Sequence, residues 1–458
     1  MADHFDAVVI GAGQAGPALV NRLTQAGKKV ALVERGRFGG TCVNVGCIPT
    51  KTMVASAYAA RMAARAGDYG VLIDGTTHVD MKRVKARKDK ISGTSSMNVE
   101  DWLKGMPNCT IYRGSARLTS ATEISVGKDK FTADMIFLDV GARPIVPKIP
   151  GIETVDVLTN LNVMDLEVVP SHLLILGGSY IGLEFAQMFR RFGADVTVIE
   201  AAPRLLPRED NDISDAIREI LEGEGIKIHT DSKCAGLAKK GDAIVATVET
   251  PKGKIDVSGS HLLTAVGRVP NTDGLGLDAA GVNLDQRGYV EVNDICQTNV
   301  ANIYAMGECN GRGNFTHTAY NDYEIVAANL LDNDPRRISD RILTYGLFID
   351  PPLGRIGMTE TEARATGRKL LLGKRPMTRV GRAVEKGETQ GFMKVVVDAE
   401  TKKILGAAIL GTSGDEAVQC ITAIMYANAP YTVLQRAVLI HPTVSELIPT
   451  MLGEMKEI

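Results

Sequence analysis

Two stretches of this chain repeat one pattern, and the repeat narrows the fold more than any other feature. Ala7-Val8-Val9-Ile10 reads as a buried strand. Gly11-Ala12-Gly13-Gln14-Ala15-Gly16 follows, then a helical stretch to Ala26, then a second strand ending at Glu34. This is G-x-G-x-x-G with a strand before it, a helix after it and an acid closing the second strand. Gly11 permits the tight turn, Gly13 lets backbone approach a pyrophosphate, and Gly16 lets helix and strand pack closely. The helix N-terminus faces the phosphates. Glu34 stands 23 positions after Gly11, placed to accept from ribose hydroxyls. The alternative is a glycine-rich turn that holds no ligand. The unit recurs as the strand Leu173-Leu174-Ile175-Leu176, then Gly177-Gly178-Ser179-Tyr180-Ile181-Gly182, a helix to about Phe192, and a strand ending at Glu200, again 23 positions after the first glycine. Ser179 replaces the middle glycine, which crowds the backbone approach and offers a hydroxyl to a phosphate. An acid at position 200 favours an unphosphorylated ribose, hence NAD(H) over NADP(H). Arg204 and Arg208 lie close enough for one to serve a 2′-phosphate or to sit in a solvated loop.

Between the two units stands Gly39-Gly40-Thr41-Cys42-Val43-Asn44-Val45-Gly46-Cys47-Ile48-Pro49-Thr50-Lys51. Pro49 suits the first turn of a helix, where its missing N–H costs nothing, and residues 52–65 carry no helix breaker. Cys47 is therefore expected at a helix N-terminus, where partial positive charge lowers a thiol pKa. Lys51, four positions on, falls on the same face. A thiolate, a partner thiol and a nearby cation suit two-electron disulfide chemistry. The alternatives are two reduced, buried cysteines or half a zinc site, but C-x4-C is not a usual zinc spacing and no second Cys/His pair follows.

At 458 residues the chain implies about two to four domains with ample core, and its 45% hydrophobic and 23% charged residues are ordinary for a globular protein. A net charge of −2 leaves no basic footprint for nucleic acid. No apolar run reaches the ~18 residues of a membrane span. The start of the chain carries no basic leader, so the expected location is the cytoplasm. Seven cysteines are too few for a disulfide scaffold, and a disulfide in that compartment is more often catalytic than structural.

The stretch 82–90 is a basic run read as an exposed helix face. Short strands are expected over 110–137, and Val140-Gly141-Ala142-Arg143-Pro144 leads into a proline-rich boundary near residue 150. A helix is expected over 211–224 and a strand at 262–266. Gly267-Arg268-Val269-Pro270-Asn271 reads as a sharp turn crossing back to the first unit, and 302–309 as a strand ending in the carboxylate of Glu308. From about residue 341 the pattern becomes α+β, with a hairpin around 398–403 and helices over 416–429 and 431–439. The expected architecture is thus α/β: two doubly wound dinucleotide-binding (Rossmann-like) domains and a C-terminal α+β domain. Its divisions fall at 1–150, 151–270, 271–340 (returning to the first domain) and 341–458. The tail carries His441-Pro442-Thr443-Val444-Ser445-Glu446, where His441 reads either as a helix-end residue or as a base oriented by Glu446.

Taken together, G-G-T-C-x-N-x-G-C-x-P-x-K, the two glycine turns and H-P-T-x-x-E resemble the class I pyridine nucleotide–disulfide oxidoreductases, over nearly the whole chain and in the right order. The resemblance implies an enzyme that binds FAD through Gly11, Gly13, Gly16 and Glu34, with Thr41, Gly141 and Glu308 at the same site. It puts the pyridine nucleotide on Gly177, Ser179, Tyr180, Gly182, Glu200 and Gly267. Family members carry an aspartate at the position of Glu308, one methylene shorter. Lys51 matches the lysine beside the flavin, Glu184 its carboxylate partner, and Tyr180 the ring that covers an empty nicotinamide pocket. The resemblance also implies a Cys42–Cys47 redox disulfide: Cys47 next to the flavin, Cys42 the outer thiol that attacks the acceptor. The family's homodimer would bring His441, oriented by Glu446, to the other subunit's disulfide as acid and base. Cysteines 109, 234, 296, 309 and 420, and His317, are expected to be structural.

The acceptor implied is a disulfide or thiol-reactive compound. A metal ion or oxidant is the alternative, as in the mercuric-reductase-like branch, and a dihydrolipoyl dehydrogenase-type subunit of a larger complex is the second. The segment 451–458 lacks the cysteine pair with which mercuric reductases hand over metal. Asn21 and Glu200 stand where glutathione reductases use arginines.

Overall fold

The computed structural model describes residues 3–458. Met1 and Ala2, which open the stretch read as lacking a basic leader, lie outside the described residues. The first unit folds as expected. Strand Asp3–Ile10 sits inside a seven-stranded sheet, parallel to Val30–Glu34 on one side and to Asp129–Leu138 on the other. From Ala7 onward its side chains alternate between two cores, Val8 and Ile10 on one face and Ala7 and Val9 on the other, as a strand buried on both faces must. Helix α1 (Gly16–Gln25) covers one face. A short helical turn, α2 (Gly40–Asn44), follows, then the 18-residue α3 (Cys47–Ala64) and the long α4 (Met81–Lys104). Helix α4 holds the cysteine loop from behind: the Ser92 hydroxyl donates to the Val43 carbonyl and the Ser96 hydroxyl to that of Phe38. The basic run lies on α4, but it is not wholly exposed. Lys88 is buried against Asp165 (2.8 Å) and Arg87 donates to the Thr52 carbonyl, so part of the run staples α4 to its surroundings.

The second unit builds a five-stranded parallel sheet around His172–Leu176, flanked by Asp195–Ile199 and His261–Thr264. Leu173 and Ile175 face one core, Leu174 and Leu176 the other. Helices α5 (Tyr180–Phe192) and α6 (Asn211–Gly223) belong to this unit. The expected sharp turn at 267–271 is instead a strand, Arg268–Pro270, paired antiparallel with Ala142–Pro144; the two crossings between units run side by side and satisfy each other's backbone. The chain returns to the first sheet through Ile303–Ala305, which pairs with Asp129–Leu138. That strand is shorter than expected, because the positive φ of Gly307 (72°) turns the chain into a 3-10 segment carrying Glu308. Helix α7 (Thr316–Ala327) follows.

A six-stranded antiparallel sheet closes the fold, with the expected hairpin between Phe392–Asp398 and Ile404–Leu410. The helix expected over 416–429 is two, Gly414–Ala417 and Gln419–Tyr426, broken where the Ile421 N–H reaches back only three residues to Val418. The helix expected over 431–439 stops at Gln435. Beyond it Ala437 still packs on the C-terminal core, but Val438 is 99% exposed. No helix among the described residues is long and apolar enough to cross a membrane.

Candidate active site

The first turn is built on contacts that only glycine permits. At Gly11 (φ 109°) a Cβ would stand 2.2 Å from the Asp139 carbonyl, and at Gly16 it would stand 2.3 Å from the Gly11 carbonyl. Gly40, in the cysteine loop, approaches so closely that its Cβ would meet the Gly13 Cα at 2.8 Å. Glu34 is clamped by the Ala12 and Gly36 N–H groups at 2.8 and 2.6 Å. The second unit repeats the arrangement: the Gly178 and Ala202 N–H groups donate to Glu200 at 2.5 and 2.7 Å. The firm constraints are at Gly177 (φ 109°) and Gly182, where a Cβ would stand 2.5 Å from the Ala265 carbonyl and 2.0 Å from the Gly177 carbonyl; at Gly178 its closest contact would be the tip of the Leu205 side chain, at 2.6 Å. Ser179 caps no helix amide, leaving its hydroxyl toward the cavity.

Both turns open into one cavity of ≈ 2470 Å³ that runs from Glu34 past Thr41, Cys42, Cys47 and Lys51 to Tyr180 and Glu200. Its length and its two acidic ends suit a pair of dinucleotides meeting near the cysteines. Gly141, Gly267 and Glu308 line it as well. Glu308 does not hang free: Arg268 Nε donates to it at 2.6 Å while Arg268 Nη2 donates to the Ala142 carbonyl at 2.7 Å, which ties the carboxylate to the crossing strands.

Cys47 is the first residue of α3, with its thiol exposed to the cavity, and both cysteines are free thiols. A hydrogen bond from the Cys42 thiol, helped by the Thr316 hydroxyl (3.2 Å) and then by Lys51, holds Cys47 down to about 6 against the opposing pull of burial and Glu184. The hydrogen bond to Cys47 and burial push Cys42 far up. The pair is therefore unequal: one thiolate-forming sulfur, one protonated neighbour. The thiol is lowered as expected, but the causes are the partner thiol, Thr316 and Lys51. Thr316, at the start of α7, is a contributor that no sequence pattern flagged. Lys51 donates to Glu184 at 2.7 Å, linking α3 to α5, and lies over the Phe348 ring at 4.4 Å; Glu184 also accepts from the Phe348 N–H.

Cysteines 109, 234, 296, 309 and 420 are all pushed up by burial, the opposite of Cys47. His317 stacks on Phe315 with its Nε2 2.7 Å from the Thr344 carbonyl, which fits the expected structural role, although it too lines the cavity. His441 and Glu446 are brought together, Nδ1 to Oε2 at 2.9 Å, with the His441 side chain 80% exposed and outside this cavity. One further group escaped sequence reasoning. Asp139, buried at the end of Asp129–Leu138, accepts from the Gly16 N–H at 2.8 Å, directly beneath the first turn. Burial, with Glu34 and Asp322 nearby, raises its carboxyl to about 8 even though the Gly16 and Gly13 N–H groups favour the charged form.

Residues 5–322 match the family described as pyridine nucleotide-disulphide oxidoreductase, and residues 344–452 match its dimerisation domain. The chain belongs to this family. Among curated members of the pyridine nucleotide-disulphide oxidoreductases, it is 35% identical to the probable pyridine nucleotide-disulfide oxidoreductase RclA of Escherichia coli (strain K12), covering 99% of this chain and 100% of that one. It is 33% identical to a dihydrolipoyl dehydrogenase of Rhizobium etli, covering 97% of each. Its fold superposes on the Cu(II) complex of the HOCl-induced flavoprotein disulfide reductase RclA from Escherichia coli with a TM-score of 0.90 at 34% identity, covering 99% of both chains. The protein is thus an NAD(P)H-dependent flavoprotein oxidoreductase with a dimerisation domain, and FAD is its implied cofactor. The residues fit FAD: close contacts at Gly11, Gly13, Gly16 and Gly40 that exclude side chains leave a bare-backbone turn beside the cavity, with the carboxylate of Glu34 on the same cavity wall.

Proposed function

We propose that this protein uses NADH to reduce a disulfide or thiol-reactive acceptor through a Cys42–Cys47 redox pair. The observation that carries this reading is the inequality of the two thiols, Cys47 held near 6 and Cys42 pushed up, on the cavity wall beside Lys51. Bound FAD supplies the two-electron link between the nicotinamide and the disulfide. Gly11, Gly13, Gly16 and Glu34 hold it, with Thr41, Lys51, Gly141 and Glu308 along its length. Gly177, Ser179, Tyr180, Gly182, Glu200 and Gly267 take the nucleotide. The Lys51–Glu184 pair sets the charge beside Cys47.

With the pair reduced, Cys42 gives up its proton to His441 of a second copy, oriented by Glu446, and attacks one sulfur of the acceptor. One acceptor thiolate leaves and takes the proton from His441. Cys47, already a thiolate, then attacks Cys42, re-forms the Cys42–Cys47 bond and releases the second acceptor thiolate. Two electrons enter and two leave. Glu200 supports NADH over NADPH. Its carboxylate is fixed by two backbone N–H groups where a 2′-phosphate would fall, and Arg204, one of the two cations that could serve that phosphate, is paired with Asp215. The divisions at 150, 270 and 340 and a location in a reducing cytoplasm belong to the same reading, since free thiols suit that compartment.

The Cu(II) complex of the RclA relative favours a second reading, a metal ion as acceptor. No group of three or more His, Cys, Asp or Glu side chains among the described residues could hold a metal ion. A metal substrate would therefore meet the thiol pair rather than a preformed cage. The test is NADH oxidation by the FAD-loaded dimer with dihydrolipoamide-derived disulfide, glutathione disulfide, Cu(II) and Hg(II), in the parent and in Cys42→Ser. Disulfide turnover that vanishes in the variant is the expected result. Metal turnover that survives Cys42→Ser while no disulfide is turned over by the parent would replace the first reading with the second.

A further inference from the structure

The fold separates the two arginines that follow Glu200. Arg204 is paired with Asp215 and lies in a small hollow of its own, with Ser214 and Arg218. It does not line the main cavity. Arg208 does, beside Ser179, Tyr180 and Ile181. It is exposed there, and among the described residues it forms no ion pair and no hydrogen bond. A guanidinium carries five donors and stays charged at every working pH. This one faces the cavity with all five free.

The loop that carries Arg208 is held on both sides of it. Leu206 is buried in left-handed backbone (φ 48°), a conformation that bulky residues rarely adopt. Its N–H donates to the Gly178 carbonyl at 3.1 Å, and its own carbonyl accepts from the Glu209 N–H at 2.8 Å. Glu209 lies buried against Arg355 and accepts from the Tyr345 hydroxyl at 2.6 Å. The Tyr345 ring meets the Tyr180 ring edge-on, centroids 5.4 Å apart. Asp210 then accepts from the Glu360 and Thr361 N–H groups at 2.9 and 3.0 Å. Arg208 therefore leaves the backbone between the glycine turn and the Tyr180 ring, over the start of α5. Ser179 gives no side-chain bond to the first-turn N–H groups of that 13-residue helix. Free amides and a free guanidinium thus meet at one end of one helix.

A 2′-phosphate would fall elsewhere, on the ribose held at Glu200. From Glu200 the chain passes Gly178 and runs on toward Tyr345, away from that end. The cation at the ribose end is Lys233, which lines the cavity next to Ser232, whose N–H donates to the Glu200 carbonyl at 2.9 Å. We propose that Arg208 binds the pyrophosphate of the pyridine nucleotide, completing the anion site that the α5 N-terminus opens, and that it does not read the 2′-phosphate. The proposal rests on the reading of the second glycine turn as the nucleotide site. An arginine meets phosphate oxygens with two parallel N–H donors, whereas a lysine offers only a point charge.

The test is calorimetric titration of the FAD-loaded dimer with ADP-ribose, which carries the pyrophosphate but neither nicotinamide nor 2′-phosphate. A hydrogen bond to a charged group corresponds to about tenfold to a hundredfold in affinity. Arg208→Met is expected to weaken ADP-ribose binding by about tenfold or more, Arg208→Lys by less, and Arg204→Met not at all. NADH and NADPH should lose affinity for Arg208→Met in equal proportion. In stopped-flow reduction of the flavin, the Kd for NADH should rise while the rate at saturation stays within about twofold of the parent, as when binding common to ground and transition states is removed. Parental ADP-ribose affinity in Arg208→Met overturns the assignment. So does a loss confined to NADPH, which would make Arg208 the reader of the 2′-phosphate, and so does an equal loss in Arg204→Met, which would mean long-range charge rather than contact. If the parent itself takes up no ADP-ribose, the reading of the second turn as the nucleotide site falls as well; if the parent binds it and Arg208→Met binds it equally, that reading stands and only the role of Arg208 falls.

Discussion

A thiol that ionises near neutrality inside a protein needs more than one favourable neighbour, because burial alone would push it up. Cys47 has three: the Cys42 thiol, the Thr316 hydroxyl and the Lys51 ammonium. The shift is downward, to about 6, so the thiolate predominates at every pH above that value and reactivity is lost as pH falls through it. Thr316→Val removes one of the two hydrogen bonds to the sulfur. A hydrogen bond to a charged group contributes about 1.5–3 kcal/mol, of which 1.36 kcal/mol corresponds to one pH unit. The iodoacetamide alkylation rate of the reduced protein, followed at Cys47 by mass spectrometry, is expected to show its midpoint near 6 in the parent and at about 7 or higher in the variant. A variant profile that overlays the parent would show that the hydroxyl does not stabilise the thiolate. Lys51 was legible from its spacing to Cys47. Thr316 was not, because 269 positions separate it from the sulfur and a threonine opening a helix reads as a cap.

At the scale of elements, the strand–turn–helix units were readable because each glycine answers a steric demand that the pattern itself encodes, and because buried parallel strands are written as continuous apolar runs. What failed to show was whatever a second element supplies. The crossing at 267–271 became a strand only because Ala142–Pro144 lies beside it, and the helix over 416–429 broke at Val418. Asp139 is the clearest such case: as a lone acid after a strand it carries no signal, and its role appears only when α1 is packed on top of it. Its carboxyl is raised to about 8 from an ordinary 3.8. Between these values the unfolded chain has released a proton that the native chain still holds, so stability falls as pH rises through this window and levels off above it. Asp139→Asn keeps an oxygen for the Gly16 N–H and removes the titration. Chemical denaturation of the FAD-loaded protein is expected to show the variant ahead of the parent by roughly 2–5 kcal/mol at about pH 9, a gap that narrows toward about pH 5. A gap that is constant with pH would mean that Asp139 is ionised throughout.

The whole molecule leaves one functional pair stranded. His441 and Glu446 are fully assembled, yet the imidazole is 80% exposed and lies outside the cavity that holds the cysteines. The chain leading to it carries Val438 at 99% and Ile440 at 80% exposure, within the segment that matches the dimerisation domain. Two large apolar side chains beside an oriented acid–base pair mark a surface that a second copy covers. The domain order was legible in the sequence; the shortened helix at 431–435 was not, because an apolar stretch such as 437–440 is equally consistent with helix core and with an exposed face. Burying one branched aliphatic side chain contributes about 1.5–3 kcal/mol, and a two-fold interface counts each substitution twice. Val438→Asp with Ile440→Asp should therefore convert the dimer to monomer in sedimentation at micromolar concentration. Nucleotide reduction of the flavin uses residues of one chain, so electron transfer from NADH to a small dye such as ferricyanide should persist in the monomer. Disulfide reduction, which in the proposed mechanism uses the His441 of the other copy, should fall by the ~10²–10⁴-fold that a positioned acid–base group contributes. A monomer that still reduces disulfides at the parental rate would place the proton-transfer group elsewhere on the chain.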